Sequence, residues 1–179
     1  MGDRLISIMA DAESVAREAL SLWCRHATES VAARGAFRVL LSGGSTPRRL
    51  FQLLAEDSTR EQLPWESTHL FWGDERAVPS DHQDSNYRMT REALLNNISP
   101  PPGQVHRLEG ERANLDAAAH DYQSAVAHSF GVAEDMPPPA FDLVFLGMGT
   151  DAHTASLFPN TQALNETDKW FVANEVPQL

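Results

Sequence analysis

Residues 37–47 read FRVLLSGGSTP, an apolar run that stops abruptly at a loop with two glycines and a proline. Phe37–Leu41 has the length and the aromatic and β-branched character of a buried strand. Pro47 suits the first position of a helix, because the N–H that proline lacks has no partner there, and the apolar residues of 50–54 continue with helical spacing. The stretch therefore predicts a strand, a tight loop and a helix.

Two more apolar runs end in the same way. His69–Trp72 leads into Gly73–Arg76, and Phe141–Leu146 leads into Gly147–His153. Both runs are predicted strands followed by polar loops that contain glycine. Trp170–Ala173 is predicted to be a further, later strand.

Helical spacing of apolar residues fills the gaps between these strands. A first helix is predicted to begin after Asp11, a suitable N-cap, and to stop at Gly35. Further helical segments are predicted over about Ser85–Asn96 and Leu115–Phe130. Strands that alternate with helices indicate an α/β fold: a three-layer, Rossmann-like parallel sheet with helices on both faces.

The composition limits the class of protein and its partners. A length of 179 residues predicts one domain covering 1–179, since domains average roughly 150 residues. With 42% hydrophobic and 22% charged residues, the chain fits neither the disordered nor the fibrous class. Its net charge of −11 repels nucleic acid and anionic membranes, so we expect neither as a partner. An anionic ligand must therefore be held by a local cluster of donors.

Cysteine usage and hydropathy indicate the compartment. Cys24 is the only cysteine, which excludes an internal disulfide and a zinc site built from several cysteines, and it fits a reducing compartment. No stretch approaches the ~20 apolar residues that a membrane helix needs. The short run Leu5–Ala10 ends at Asp11 without a cleavage-site pattern. We expect a cytoplasmic protein.

The three polar loops follow predicted strands, and the carboxyl ends of parallel strands meet at one rim of a sheet, where ligands bind. In the first loop, Ser42–Pro47, glycines let backbone N–H groups approach a ligand just before the positive end of a helix. Such a loop can hold a phosphate. The alternative is an ordinary loop in which Ser45 or Thr46 caps the helix. Arg48 and Arg49 oppose the helix dipole and need a compensating anion or solvent.

The second loop offers the carboxylates of Asp74 and Glu75 and the guanidinium of Arg76. A surface ion pair within the loop is one interpretation. The other is recognition of a phosphate or carboxylate by Arg76, whose guanidinium can bind two oxygens at once. Asn86, at the start of the following helix, either caps that helix or faces the rim.

The third loop, 147–152, reads GMGTDA and formally satisfies the dinucleotide-binding fingerprint. Pro159 comes too soon for the usual long crossover helix, and Asp151 and His153 stand where a pyrophosphate needs bare backbone. A nicotinamide or flavin cofactor is therefore not expected. We instead expect the Asp151 carboxylate to orient the imidazole of His153 as a general base.

These motifs, taken together and in order along nearly the whole chain, resemble the 6-phosphogluconolactonase family. The residues that carry the resemblance are Ser42–Pro47, Phe71–Pro79, Asp84–Tyr87 and Gly147–Pro159. The related glucosamine-6-phosphate deaminase/isomerase family shares the Gly-Gly loop, the Asp-Glu pair, the Ser-Asn-Tyr and the Asp-x-His. It lacks the continuation Arg-Ala-Val-Pro and the run Thr-Ala-Ser-Leu-Phe-Pro, so the lactonase is the better match.

The resemblance implies hydrolysis of 6-phospho-D-glucono-1,5-lactone to 6-phospho-D-gluconate, in the oxidative branch of the pentose phosphate pathway, with no metal and no organic cofactor. The implied partner is a small sugar phosphate lactone, bound by a monomer or weak homo-oligomer. His153 resembles the general acid/base and Asp151 its neighbour in the site. Asp74 matches the proton-transferring aspartate of the deaminase family, a role that ester hydrolysis does not need.

Residues predicted to bind the substrate or its phosphate are Gly43, Gly44, Ser45, Thr46, Arg76 and Asn86. Opening a lactone with water also needs donors for the oxyanion, and the backbone N–H groups of 147–152 are the candidates.

The chain departs from the family pattern at two places. The family usually has glycine where this chain has Ala152, and a Cβ costs about 1 kcal/mol where φ is positive. Family members also continue past the equivalent of 176–179 into a further strand and helix, so we expect a domain that is short at its C-terminus, with an exposed apolar sheet edge. Two alternatives therefore stay open: a glucosamine-6-phosphate deaminase-like isomerase and a non-catalytic sugar-phosphate-binding homologue.

Overall fold

A parallel sheet of four strands forms the centre of the computed structural model, which describes residues 4–176. The strands are β1 (Phe37–Leu41), β2 (Thr68–Trp72), β3 (Val105–His106) and β4 (Leu143–Val144). Their order across the sheet is β3-β2-β1-β4. β1 and β2 pair along their whole length, with Phe37 opposite Thr68 and Leu41 opposite Trp72.

The described residues form five α-helices: α1 (Ala12–Arg34), α2 (Ser45–Ala55), α3 (Asp57–Arg60), α4 (Asn86–Thr90) and α5 (Leu115–Phe130). α4 continues into a π-helical turn over Arg91–Leu95. Short 3-10 turns cover Trp65–Ser67 and Gln162–Asn165.

Capping residues explain where the two long helices begin and end. The side chain of Asp11 accepts a hydrogen bond from the amide of Ser14 at 2.7 Å, as expected of the N-cap of α1. Gly35 ends α1 with a φ of 75°, a left-handed conformation that glycine adopts without strain. α5 has the predicted bounds.

α2 begins two residues earlier than predicted. Its N-cap is Gly44, with a φ of 112° and no side-chain cap, so the interpretation of Ser45 or Thr46 as the cap is wrong. Pro47 is the third residue of the helix and not the first. This shift is tolerated because none of the first four N–H groups of a helix has an intrahelical partner, so proline removes no bond there.

The strands alternate their side chains between two buried layers. On one face, Val39, Leu41, Leu70 and Trp72 pack with Trp23 of α1 and with α2. On the other face, Phe71 packs with Tyr122 and Val126 of α5. Helices thus cover both faces of the parallel sheet, which confirms the three-layer α/β prediction.

Two strand predictions need correction. The segment Trp170–Ala173 forms no strand: the amide of Trp170 donates to the side chain of Gln123 on α5 at 2.9 Å, and the segment packs there. The predicted strand Phe141–Leu146 shrinks to β4, because only Val39 and Leu40 of β1 pair with it. β3, only two residues long, was not predicted.

β4 forms one edge of the sheet. Within residues 4–176 it pairs with β1 alone, and its neighbourhood exposes the apolar side chains of Val144, Leu146 and Met148. An exposed apolar edge was expected from the sequence. None of the helices in the same range is long and apolar enough to cross a membrane.

Candidate active site

The loops that follow β1, β2 and β4 line one cavity of about 320 Å³. Eight of the nine predicted site residues contribute to its wall: Gly43, Gly44, Ser45, Thr46, Asp74, Arg76, Asn86 and His153. Asp151 stands just behind the wall, in contact with His153. Segments that are far apart in the sequence are therefore brought together at the carboxyl ends of the strands, where the topology predicts a site.

The N-terminus of α2 forms one side of the cavity. Because Gly44 caps this helix without a side chain, the amides of Ser45 and Thr46 have no hydrogen-bond acceptor within residues 4–176. Unpaired amides at the positive end of a helix can hold an anion such as a phosphate.

The sequence did not decide whether Arg48 and Arg49 contact an anion or point into solvent. Both residues lie outside the cavity wall. Arg49 donates two hydrogen bonds to the carboxylate of Glu13 on α1, at 2.6 and 3.0 Å. That contact raises the pKa of Arg49 and lowers the pKa of Glu13. Arg48 is exposed on the surface of α2.

The carboxylate of Glu75 binds the first amides of α4, and this leaves Arg76 available. Its carboxylate accepts hydrogen bonds from the amides of Asn86 and Tyr87, at 2.8 and 2.9 Å, and from the hydroxyl of Ser85 at 3.0 Å. The alternative of an ion pair within this loop is therefore wrong. Arg76 is exposed on the cavity wall, and in the described part of the chain its guanidinium pairs with no carboxylate.

Asn86 faces the rim, and Ser85 takes the capping position, accepting from the amide of Arg88 at 3.1 Å. The side chain of Asn86 is buried and donates to the carbonyl of Asp74 at 3.0 Å. A Cβ on Gly43 would lie 1.9 Å from Oδ1 of Asn86. Glycine at position 43 is thus required for the first two loops to touch.

His153 is oriented by its surroundings on three sides. Its Nδ1 lies 2.5 Å from Oδ1 of Asp151, and its ring stacks on Phe158 with centroids 4.2 Å apart. A Cβ on Gly149 would come within 2.2 Å of its Cε1. The hydrogen bond from His153 lowers the pKa of Asp151. Since an ionised carboxylate can only accept, Nδ1 is the donor in this contact, and in the neutral imidazole Nε2 is then an acceptor.

The turn before His153 is closed by backbone hydrogen bonds. The amide of Gly149 donates to the carbonyl of His153 at 2.8 Å, and the amide of Ala152 donates to the carbonyl of Gly149 at 3.0 Å. These two amides are occupied, so they are not the free oxyanion donors that the sequence suggested for the whole of 147–152. Ala152 has a φ of 68°, the strained conformation considered from the sequence.

The dinucleotide interpretation has no structural support. A fingerprint of that kind needs a helix N-terminus directly behind it. Here the chain continues from Ala152 into the tight turn 154–157, and the next helical residues are the 3-10 turn Gln162–Asn165.

Two residues that support the loops of the cavity were not predicted. Ser156 donates its hydroxyl to Oδ2 of Asp74 at 2.5 Å. The buried hydroxyl of Tyr122 accepts from the amide of Trp72 at 2.8 Å and donates to the carbonyl of the same residue at 3.0 Å, and its burial raises its pKa. Both contacts join positions far apart in the sequence, so no local pattern could have indicated them.

Comparison with known proteins finds one matching family. The family model described as glucosamine-6-phosphate isomerases/6-phosphogluconolactonase matches residues 10–178. A 6-phosphogluconolactonase of Synechocystis sp. is 41% identical over 164 residues, which are 92% of this chain and 66% of the relative. The chloroplastic 6-phosphogluconolactonase 3 of Arabidopsis thaliana is also 41% identical, over 78% of this chain and 44% of its own. The chain thus spans less than two thirds of the length of both.

Solved structures show the same fold. A 6-phosphogluconolactonase from Trypanosoma cruzi superimposes with a TM-score of 0.77 at 31% identity, covering 90% of this chain and 65% of the other. A monomeric glucosamine-6-phosphate deaminase superimposes with a TM-score of 0.66 at 19% identity, a likeness of fold alone.

Proposed function

Because the chain belongs to the glucosamine-6-phosphate isomerase/6-phosphogluconolactonase family, we propose that it hydrolyses 6-phospho-D-glucono-1,5-lactone to 6-phospho-D-gluconate. The observation that carries this proposal is the shared cavity, whose wall includes both the N-terminus of α2 and the imidazole of His153. The identity to relatives named 6-phosphogluconolactonase favours the lactone over an amino sugar as substrate.

In this proposal the phosphate is the anchor of the substrate. The amides of Ser45 and Thr46 bind its oxygens, assisted by the dipole of α2 and by the guanidinium of Arg76. A substrate bound by its phosphate has already lost rotational freedom. Reaching the transition state then costs less entropy, which lowers the activation barrier at C1.

The hydrolysis itself uses one imidazole twice. Nε2 of His153 takes a proton from a water molecule, whose oxygen attacks C1 of the lactone and forms a tetrahedral oxyanion. The intermediate collapses, the bond between C1 and the ring oxygen breaks, and His153 returns the proton to that oxygen. Asp151 stabilises the imidazolium between the two steps, as its hydrogen bond to Nδ1 allows. The scheme needs no metal and no organic cofactor.

We also propose that residues 1–179 belong to one domain. The two apolar clusters lie on opposite faces of one sheet, which supports a single domain. A small sugar phosphate as the partner fits the size of the cavity, whereas the net charge of −11 opposes nucleic acid and anionic membranes. The expected state is a monomer or weak homo-oligomer, which size-exclusion chromatography with light scattering measures.

The test is the rate of lactone hydrolysis above the spontaneous background. Freshly generated 6-phosphogluconolactone is mixed with wild type, with His153→Ala and with His120→Ala, a control at an exposed position of α5. We expect wild type and the control to accelerate hydrolysis equally and His153→Ala to be at least about a hundredfold slower. Equal rates for wild type and His153→Ala would remove the proposal. Ammonia release from glucosamine 6-phosphate, measured in parallel, would favour the deaminase instead.

A further inference from the structure

Asp74 lines the cavity, and two neighbouring side chains contact its carboxylate. One oxygen, Oδ2, accepts the hydroxyl of Ser156 at 2.5 Å. The other, Oδ1, lies 3.4 Å from the side-chain amide of Asn86. Within residues 4–176 no cation pairs with this carboxylate, which lines the cavity and keeps acceptor positions for a ligand.

Ser156 is itself fixed at its backbone. It lies in the turn in which the amide of Leu157 donates to the carbonyl of Thr154 at 2.9 Å. The carbonyl of Ser156 accepts a hydrogen bond from the side chain of Asn174 at 2.7 Å. The backbone position from which its hydroxyl reaches Asp74 is therefore determined by the fold and not by Asp74 alone.

The contact between Ser156 and Asp74 joins two loops across 82 residues of sequence. One loop follows β2 and carries Arg76, and the other follows β4 and carries His153. A hydroxyl that binds one oxygen of a carboxylate fixes the rotation of the group. The lone pairs that remain then have defined directions, which suits recognition of hydroxyl groups on a bound sugar.

We propose that Ser156 is a positioning residue: its hydroxyl, held between the loops after β2 and β4, aims the carboxylate of Asp74 at a ring hydroxyl of the bound sugar phosphate. The inference rests on the function proposed above. It assigns Asp74 the acceptance of a hydrogen bond from the substrate, and no proton is removed from carbon. The sugar ring is thereby held at a second point, besides its phosphate, before His153 acts on C1.

The first experiment compares Ser156→Ala, Ser156→Cys and Ser156→Thr with wild type. We expect kcat/KM for the lactone to fall about tenfold in Ser156→Ala, since hydrogen bonds to charged groups carry energies of that size. Cysteine is a weak donor and should lose nearly as much, whereas threonine keeps the hydroxyl and should stay within about threefold of wild type. Thermal unfolding of each variant shows that it is folded. A Ser156→Ala enzyme as active as wild type would overturn the inference.

A double-mutant cycle with Asp74 separates positioning from mere loop attachment. If Ser156 acts through Asp74, Ser156→Ala should cost less than about twofold in an Asp74→Ala background. An undiminished tenfold loss in that background would show that Ser156 acts by holding the loops together, and would contradict the proposal.

A binding experiment tests the role of Ser156 independently of the proposed hydrolysis. Calorimetry measures the affinity of wild type and Ser156→Ala for 6-phosphogluconate and for inorganic phosphate. We expect the variant to bind 6-phosphogluconate at least about fivefold more weakly and inorganic phosphate equally well, because phosphate has no ring hydroxyl. If wild type shows no turnover, the proposed reaction fails while this result still supports Ser156. Equal affinity of both proteins for 6-phosphogluconate, or no binding by either, would overturn the inference.

Discussion

Three neighbours determine the orientation of the His153 imidazole: an acidic residue, an aromatic residue and a glycine. The acidic and aromatic neighbours, Asp151 and Phe158, contact the ring directly. The glycine is Gly149, where a Cβ would collide with the ring. A residue pattern predicts the first of these contacts, because Asp151 is two positions away. The other two depend on how the loop folds back on itself.

Replacing the two glycines of this loop should have unequal effects on activity. In Gly149→Ala the new methyl would lie 2.2 Å from Cε1 of His153, so the ring must move and we expect kcat/KM for the lactone to fall at least about a hundredfold. In Gly147→Ala the methyl meets no protein atom within 4 Å, so the ring of His153 keeps its position and we expect a loss at least about tenfold smaller than that of Gly149→Ala. Steady-state kinetics measures both. Comparable losses in the two variants would refute this role of Gly149.

Ala152 carries a local strain that the sequence allowed us to suspect. Its φ of 68° is unfavourable for a residue with a Cβ. We expect Ala152→Gly to raise the free energy of unfolding by about 0.5–1 kcal/mol, the relief of strain less the added freedom of the unfolded chain. The control is Ala133→Gly, at an exposed loop position outside the left-handed region, which should lower stability slightly. Urea denaturation measures both changes, and a destabilised Ala152→Gly would contradict the strain.

His69 of β2 and His106 of β3 form a pair on the sheet, with Nδ1 of the first 3.4 Å from Nε2 of the second. Burial, then the charge of His69, then that of Arg38 lower the pKa of His106 to about 4. Burial and then Arg38 also lower the pKa of His69. An unfolded histidine has a pKa of ~6.5, so the unfolded chain binds more protons than the folded chain between these values.

Stability should therefore fall as the pH drops from about 6.5 towards 4, and level off below that. We expect His106→Gln to have a flatter dependence of unfolding free energy on pH over this range, because one of the two groups no longer titrates. Denaturation at pH 7, 6 and 5 measures it, with His120→Gln on the surface of α5 as the control. A slope in His106→Gln equal to that of wild type would count against the pair.

Among the elements, the long amphipathic helices and the central strands could be predicted well. α1 and α5 have side-chain caps at one end and glycine at the other, so their bounds follow from local chemistry. The start of α2 was misplaced because Gly44 caps it through its backbone, which leaves no side-chain signal. β3 and β4, two residues each, are defined by their partners in the sheet and not by their own pattern.

The end of β2 depends on a side chain from another layer. Tyr122 of α5 satisfies both the amide and the carbonyl of Trp72, immediately before the loop that carries Asp74 and Arg76. Tyr122→Phe leaves these two backbone groups buried without partners, so we expect a loss of about 1–3 kcal/mol in unfolding free energy. Tyr87→Phe, which removes the other of the two tyrosine hydroxyls, should change stability by less than about 0.5 kcal/mol. Thermal and urea denaturation compare them. Losses of equal size would disprove the strand-end role of Tyr122.

In the whole molecule, the parallel sheet explains why loops distant in sequence share a cavity. The alternation of strands and helices predicted that arrangement, and the carboxyl ends of β1, β2 and β4 realise it. The sequence could not predict the contacts between the loops, such as Gly43 against Asn86 or Ser156 against Asp74, because these depend on the packing of the complete fold. They are the contacts that shape the cavity.

A crystal structure of the protein with bound 6-phospho-D-gluconate tests most directly whether the three loops form one sugar-phosphate site. We predict phosphate oxygens within about 3.2 Å of the amides of Ser45 and Thr46, the C1 carboxylate beside Nε2 of His153, and a hydroxyl on Asp74. A ligand bound outside the cavity, or bound with its phosphate at His153, would contradict the account.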